Sequence, residues 1–300
     1  MPAERLSDLP RTAAYLQKLR QSTAYIQIAL TSPALELSLA NGLPRQRAIP
    51  WSCAGKPLLA MALARLANTG TLSLDAKVAD VVGNVGPWVR PGASVRDCLA
   101  HIGSIRSEPR SDGQLHARYT STQIWQVLER VLESAAGEPA EEILGAILSE
   151  AGCRSTRVVG SSRAALDASQ RCVGPAEDLC RFFEACSRWS KSGSDSRRRL
   201  PVPAAASTAA ECRRNRCDCG MFSLGFETHN VISPLTGRFC SDEAFGHTAM
   251  LPRTSSRHLM GFCDPAGDLA VGIFLSPHSS GDLRLRALLS SVYRDLLEER

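Results

Sequence analysis

Residues 49–82 read IPWSCAGKPLLAMALARLANTGTLSLDAKVADVV, and the fold and the chemistry both start from this stretch. The run from Pro50 to Gly70 predicts a buried helix. Pro57 suits a first helical turn, the apolar residues cover almost every face, and Gly70 is a natural stop. Cys53 is then expected at the helix N-terminus. In Cys53-Ala54-Gly55-Lys56 one helical turn separates a thiol from an amine, and residues three apart share a helix face. Lysine occurs at positions 18, 56, 77 and 191 only, so arginine supplies nearly all of the 35 basic residues. A lysine inside an otherwise apolar helix needs a reason. In an apolar pocket its ammonium is disfavoured and it can serve as a base, while a helix N-terminus and a neighbouring cation favour a thiolate. By itself the C-x-x-K pattern is a weak signal, shared by many a buried cysteine with a surface lysine beside it.

Outward from this helix the chain alternates types. Pro10 to Arg20 has helical spacing, and TAYIQIALTSPALELSLANG (23–42) alternates as paired strands would. A short helix is expected around Ser94 to His101. An amphipathic helix is expected in TSTQIWQVLERVLESAAG, with Ile124, Leu128 and Leu132 on one side, and a second in PAEEILGAILSEAG. Ser187 to Arg216 has the lowest complexity and reads as an exposed or mobile loop. Strands follow around Phe222–Thr228, His258–Cys263 and Leu269–Leu275, and a helix closes the chain from Leu283 to Glu298. Strands and a helix at each end around a helical middle predict an α+β protein, with one antiparallel sheet built from both chain ends and flanked by the terminal helices.

Composition bounds the function. At 300 residues and 44% hydrophobic content the chain buries a sizeable core, which excludes a disulfide-stapled miniprotein or a disordered chain. The N-terminal residues lack a basic-then-apolar leader, and nowhere do about 18 apolar residues run together, so we expect a cytoplasmic protein without a membrane partner. Eleven cysteines, an odd number, are expected as reduced and mostly buried thiols. Cys212, Cys217 and Cys219, with Cys240 downstream, lack the paired C-x2-C spacing of zinc sites, so no metal or other cofactor is expected. Net charge is only +5, concentrated at Arg197–Arg199 and at Arg213, Arg214 and Arg216. With aromatics at 5% and no groove-reading motif, nucleic acid is not an expected partner. The arginines read as a solvated run, or as contacts to the phosphates of a carrier- or coenzyme A-linked donor.

The stretch 49–82 resembles the nucleophile helix of the class C β-lactamase, penicillin-binding protein and family VIII esterase group, whose usual motif is Ser-x-x-Lys. SVRDCLAHIGSI (94–105) is similar to that group's Leu-x-His-x-Ser-Gly segment, where His101 is expected to be structural. ARYTSTQIWQVLERVLESAAGEPAEEIL (117–144) is similar to its Tyr-x-Asn motif and the helix after it. AFGHTAM (244–250) with LMGFCDPAGDLAVGIFLSPH (259–278) resembles the third motif, a Lys- or His-Thr-Gly strand, and the hairpin behind it. The resemblance implies one β-lactamase-like domain over 1–300 with two lobes: an α/β lobe of about 1–75 and 220–300, and an inserted, mostly helical lobe of about 76–219. It also implies roles. Cys53 takes the acyl group, Lys56 and Tyr119 exchange its proton, and His247 gives electrostatic or hydrogen-bonding support. Ser121, Thr248 and Ala249 line the substrate, and backbone amides of Cys53 and of Met250, just after Ala249, hold the oxyanion.

Departures from the family pattern redirect the expected activity. Cys53 stands where the group has serine, Ser121 where it has asparagine, and Ala249 where it has glycine. A hydroxyl cannot reproduce the donor amide and acceptor carbonyl of asparagine, so recognition of a penicillin-like amide is not expected. Amines attack a thioester on cysteine more readily than water does, which favours acyl transfer from a small ester or thioester donor to an amine or alcohol. Hydrolysis on the same scaffold is the alternative, and a non-catalytic binding relative a second. Ser52 competes as nucleophile, but its spacing to Lys56 is four and the family register selects Cys53.

Overall fold

The computed structural model describes residues 9–22, 25–33, 35–100, 122–160, 169–191, 222–236, 239–250, 257–276 and 281–298. The chain opens with helix α1 (Pro10–Ser22) and the hairpin β1 (Ile26–Thr31) and β2 (Glu36–Asn41). It ends with β6 (Phe222–Ser223), β7 (Phe226–Thr228), α8 (His229–Thr236), β8 (Phe245–Met250), β9 (Arg257–Asp264), β10 (Leu269–Leu275) and α9 (Gly281–Glu298). These strands form one seven-stranded antiparallel sheet in the order β2-β1-β10-β9-β8-β7-β6, built from both chain ends as expected. The two chain ends meet within it, where Ile28 of β1 lies opposite Ile273 of β10.

The period of two along these strands divides the core. Ile26, Ile28 and Leu30, with Val271 and Ile273, join one apolar cluster with Leu16 and Leu19 of α1 and Leu285, Leu288 and Leu289 of α9. Ala29, Leu259, Cys263 and Ala270 join a second cluster with the helices on the other side. The terminal helices are fastened together where the Thr12 amide and hydroxyl both donate to Asp295, at 2.8 and 2.7 Å.

Between the chain ends run β3 (Ile49–Pro50), a 3-10 turn (Ser52–Gly55), α2 (Lys56–Asn68), α3 (Val78–Val82), α4 (Val95–Leu99), α5 (Thr122–Ala136), α6 (Ala140–Glu150), β4 (Arg157–Val158), a second 3-10 turn (Ser169–Arg171), β5 (Cys172–Gly174) and α7 (Ala176–Lys191). Helix α2 has residues 56–64 buried and packs on α5 and α6. Ser94 caps α4 through a reciprocal bond pair with Asp97, a local signal that fixes this short helix.

Three expectations need correction. The sheet from the chain ends is accompanied by a small three-stranded one, β3-β5-β4, whose strands of two or three residues are too short to show a period. Of the stretch expected as a loop from Ser187, Ser187–Lys191 is instead the last part of α7, with Trp189 buried under Arg65; residues 192–216 lie outside the described residues. Finally, α7 falls within the stretch assigned to the helical lobe but packs on β10, β1 and β9 of the main sheet. Its seat is the paired glycines Gly261 and Gly272. A Cβ at Gly261 would stand 2.3 Å from the Phe183 ring, and one at Gly272 would stand 2.1 Å from the Ala176 carbonyl.

Candidate active site around Cys53

Cys53 precedes the α-helix proper, in the 3-10 turn, and its carbonyl accepts the Lys56 amide. The placement differs slightly from the expected helical one and improves the geometry: with three residues per turn, side chains at i and i+3 eclipse, which aligns Cys53 with Lys56. The turn is backbone-strained at its start, since Ser52 has φ +48°, in the left-handed region that a serine rarely occupies. Ser52 therefore serves the turn's geometry. Gly55 is required by space, because a Cβ there would lie 2.1 Å from the Ser169 carbonyl.

The eight described cysteines divide sharply. Cys98, Cys153, Cys172, Cys180, Cys186, Cys240 and Cys263 are buried, whereas Cys53 is partly exposed. Burial pushes the Cys98 and Cys180 thiols up to about 12, so they stay protonated, inert core residues. Among the described cysteines, Cys53 is the one a substrate can reach.

Lys56 is 1% exposed, with Nζ 5.1 Å from the Trp125 ring centroid on α5. The ring face attracts the ammonium and offsets part of the cost of its burial. Strand β8 packs against the Ser52–Gly55 turn and carries His247, Thr248 and Ala249, all buried. His247 is held at about pKa 3, first by desolvation and then by the Lys56 charge, so it is neutral at pH 7. Its Nδ1 lies 2.8 Å from the Thr248 carbonyl, an acceptor, so Nδ1 carries the proton and Nε2 the lone pair. The bond to the Thr248 carbonyl fixes the orientation of the neutral imidazole. The Thr248 hydroxyl donates to Glu227 of β7 at 3.0 Å. Between Ala249 and Met250 the ladder with β9 shifts register, next to where the family resemblance puts the second oxyanion amide.

Cys53, Lys56 and the β8 residues are thus brought together from opposite ends of the chain. Tyr119 and Ser121 lie outside the described residues, as do His101 and the arginine and cysteine cluster at 197–219. Three contributors escaped the sequence reading. Trp125 reads as one more apolar position of α5, and Glu227 as a polar residue in a short strand. Gln170, whose Nε2 lies 3.8 Å from Cys53 Sγ, stands in a segment with no pattern. Among the described residues no group of three or more His, Cys, Asp or Glu side chains could hold a metal ion, and no helix is long and apolar enough to cross a membrane.

The structure is thus an α+β fold in which a Cys-x-x-Lys turn packs against a strand of an antiparallel sheet. A family model described as Beta-lactamase matches residues 45–289, and the chain belongs to that family. Solved structures agree on the fold. A penicillin-binding protein homologue from Caulobacter crescentus is 14% identical with TM-score 0.69, over 95% of this chain and 97% of that one. A β-lactamase from Mycobacterium bovis is 21% identical with TM-score 0.67, over 94% and 99%. EstCE1, described as a hydrolase with promiscuous acyltransferase activity, is 15% identical with TM-score 0.64, over 96% and 99%. No curated protein matches the sequence.

Proposed function

We propose that the chain is an acyltransferase that carries its acyl group as a thioester on Cys53. The observation that carries this reading is the isolation of Cys53 as the partly exposed thiol among the described cysteines, aligned with a buried lysine in the family's nucleophile turn. In the first step Sγ attacks the donor carbonyl. The S–C bond forms, the bond to the donor's oxygen or sulfur breaks, and the thiol proton leaves with that group by way of Lys56 and Tyr119. In the second step an amine or alcohol attacks the thioester carbonyl, the C–S bond breaks, and the acceptor's proton returns to the sulfur. The amides of Cys53 and Met250 stabilise the oxyanion in both steps, and Ser121, Thr248 and Ala249 line the acyl chain.

The donor is a small ester or thioester; Arg197–Arg199 and Arg213, Arg214 and Arg216 suit the phosphates of one linked to coenzyme A or a carrier protein. Thiols in all eight described cysteines support a reducing, cytoplasmic setting. Hydrolysis is the second reading, since both reactions share the acyl-enzyme. Intact-protein mass after mixing with acyl thioesters, activated esters and a β-lactam tests the first step. A mass gain that disappears in Cys53→Ala is expected, with faster discharge by an added amine than by water. Discharge by water at the same rate would make the chain a hydrolase, and no adduct with any donor would favour a binding role.

A further inference from the structure

We propose that a cleft beside the last turns of α7 binds a free α-amino acid with an apolar side chain, its carboxylate on Arg188 and its ammonium on Glu184. The cleft is a cavity of about 370 Å³ where the end of β1, the last turns of α7 and the start of β10 meet. Small-molecule sites occupy this range of volume. None of the residues lining it belongs to the Cys53 site, so the inference goes beyond the acyl-transfer reading and stands without it.

One helix sets both poles of the ligand. Glu184 and Arg188 are four apart on α7, so their side chains leave the same helix face. A glutamate four residues ahead of an arginine is a favoured order for a helical ion pair, and two turns earlier α7 makes that pair between Glu177 and Arg181. Glu184 and Arg188 repeat the spacing without repeating the pair. Among the described residues neither side chain has a hydrogen-bond or ion-pair partner, and both line the cleft. Glu184 is half-buried and Arg188 exposed.

A carboxylate and a guanidinium rooted about 5–6 Å apart are complementary to a molecule that carries its ammonium and carboxylate on one carbon. The guanidinium takes the ligand's carboxylate through two parallel N–H donors, and Glu184 accepts from the ammonium. The other two charges at the cleft satisfy each other. Lys191, at the end of α7, pairs with Asp268 in the turn between β9 and β10, which ties the helix to the turn. Pro33, Leu269 and Ala270 supply an apolar wall for the ligand's side chain. A ligand with a single charge engages one pole and leaves the other in water, whereas a zwitterion engages both at once.

The test is calorimetric titration of the full chain with leucine, N-acetylleucine and leucinamide, in the wild type and in Glu184→Gln and Arg188→Gln. Leucine is expected to bind. Each analogue keeps one charge and lacks the other, and should bind about tenfold or more weakly. Each substitution should weaken leucine binding by a similar factor. Both variants should melt at the wild-type temperature without ligand, because neither side chain has a partner to lose; a lowered melting temperature would mean that the two groups are already engaged and would count against the site. No binding of leucine at millimolar concentration, equal binding of either analogue, or unchanged leucine binding in either variant would each overturn the inference. Acyl-adduct formation on Cys53 reads the catalytic proposal separately.

Discussion

The two faces of the seven-stranded sheet bury polar groups to opposite ends. Under α1 and α9 they form structural ties: Thr12 to Asp295, and Tyr293 and Ser241 to the Asp264 carboxylate at 2.9 and 2.5 Å. Each tie joins elements far apart in sequence and leaves the surroundings apolar. On the other face, under the Ser52–Gly55 turn and α2, a buried ammonium and a neutral imidazole interact with each other, and an amide lies against one partly exposed sulfur. Burying such groups costs stability unless each is bonded, so polar residues on one side of the sheet tie elements together and on the other cluster near Cys53.

Substitutions should separate the faces. The largest effect is expected for Lys56→Met, which should slow Cys53 acylation by about 10²–10⁴-fold while leaving stability equal or higher, because it removes a buried charge of similar volume. The rate of mass gain checks this, and an unchanged rate would remove Lys56 from the chemistry. Leu288→Ala on the terminal-helix face should do the reverse, costing about 2–5 kcal/mol in urea unfolding with Cys53 alkylation unaltered.

Protonation offers a finer comparison. His247 has a folded pKa of about 3 against 6.5 for the ordinary side chain, so the unfolded chain binds the extra proton first as pH falls. Its contribution is absent above pH 6.5, and stability is lost below that until pH nears 3, at about 1.4 kcal/mol per pH unit. His247→Asn should flatten this acid limb; parallel slopes for variant and wild type would mean that the imidazole titrates normally. The smallest effect is expected for Tyr293→Phe, about 1–2 kcal/mol of stability with no change at Cys53. A slower alkylation in that variant would show that the two faces are coupled.

Much of this was legible in the chain. The alternation in residues 23–42, the strand-like run Leu269–Leu275, the short helix after Ser94 and the Ile124–Leu128–Leu132 stripe each mark an element within a few residues, because dihedral preference and side-chain direction are local. Cys53, Lys56 and His247 were legible through motif order. The seat of α7 on Gly261 and Gly272 was not, since two glycines in separate strands become one groove only after those strands pair. Glu227 and Trp125 were hidden for the same reason, each acting through a partner on another element.

The sequence by itself determined the order of helices and strands, the α+β class, and the alignment of a thiol with an amine at the head of a buried helix. Only the tertiary structure decided which of eight described thiols is reachable, that His247 is neutral, and that an amide 117 residues away lies against the sulfur. Exposure and electrostatic environment are sums over neighbours brought together by packing, and neither is written in any one segment of the chain.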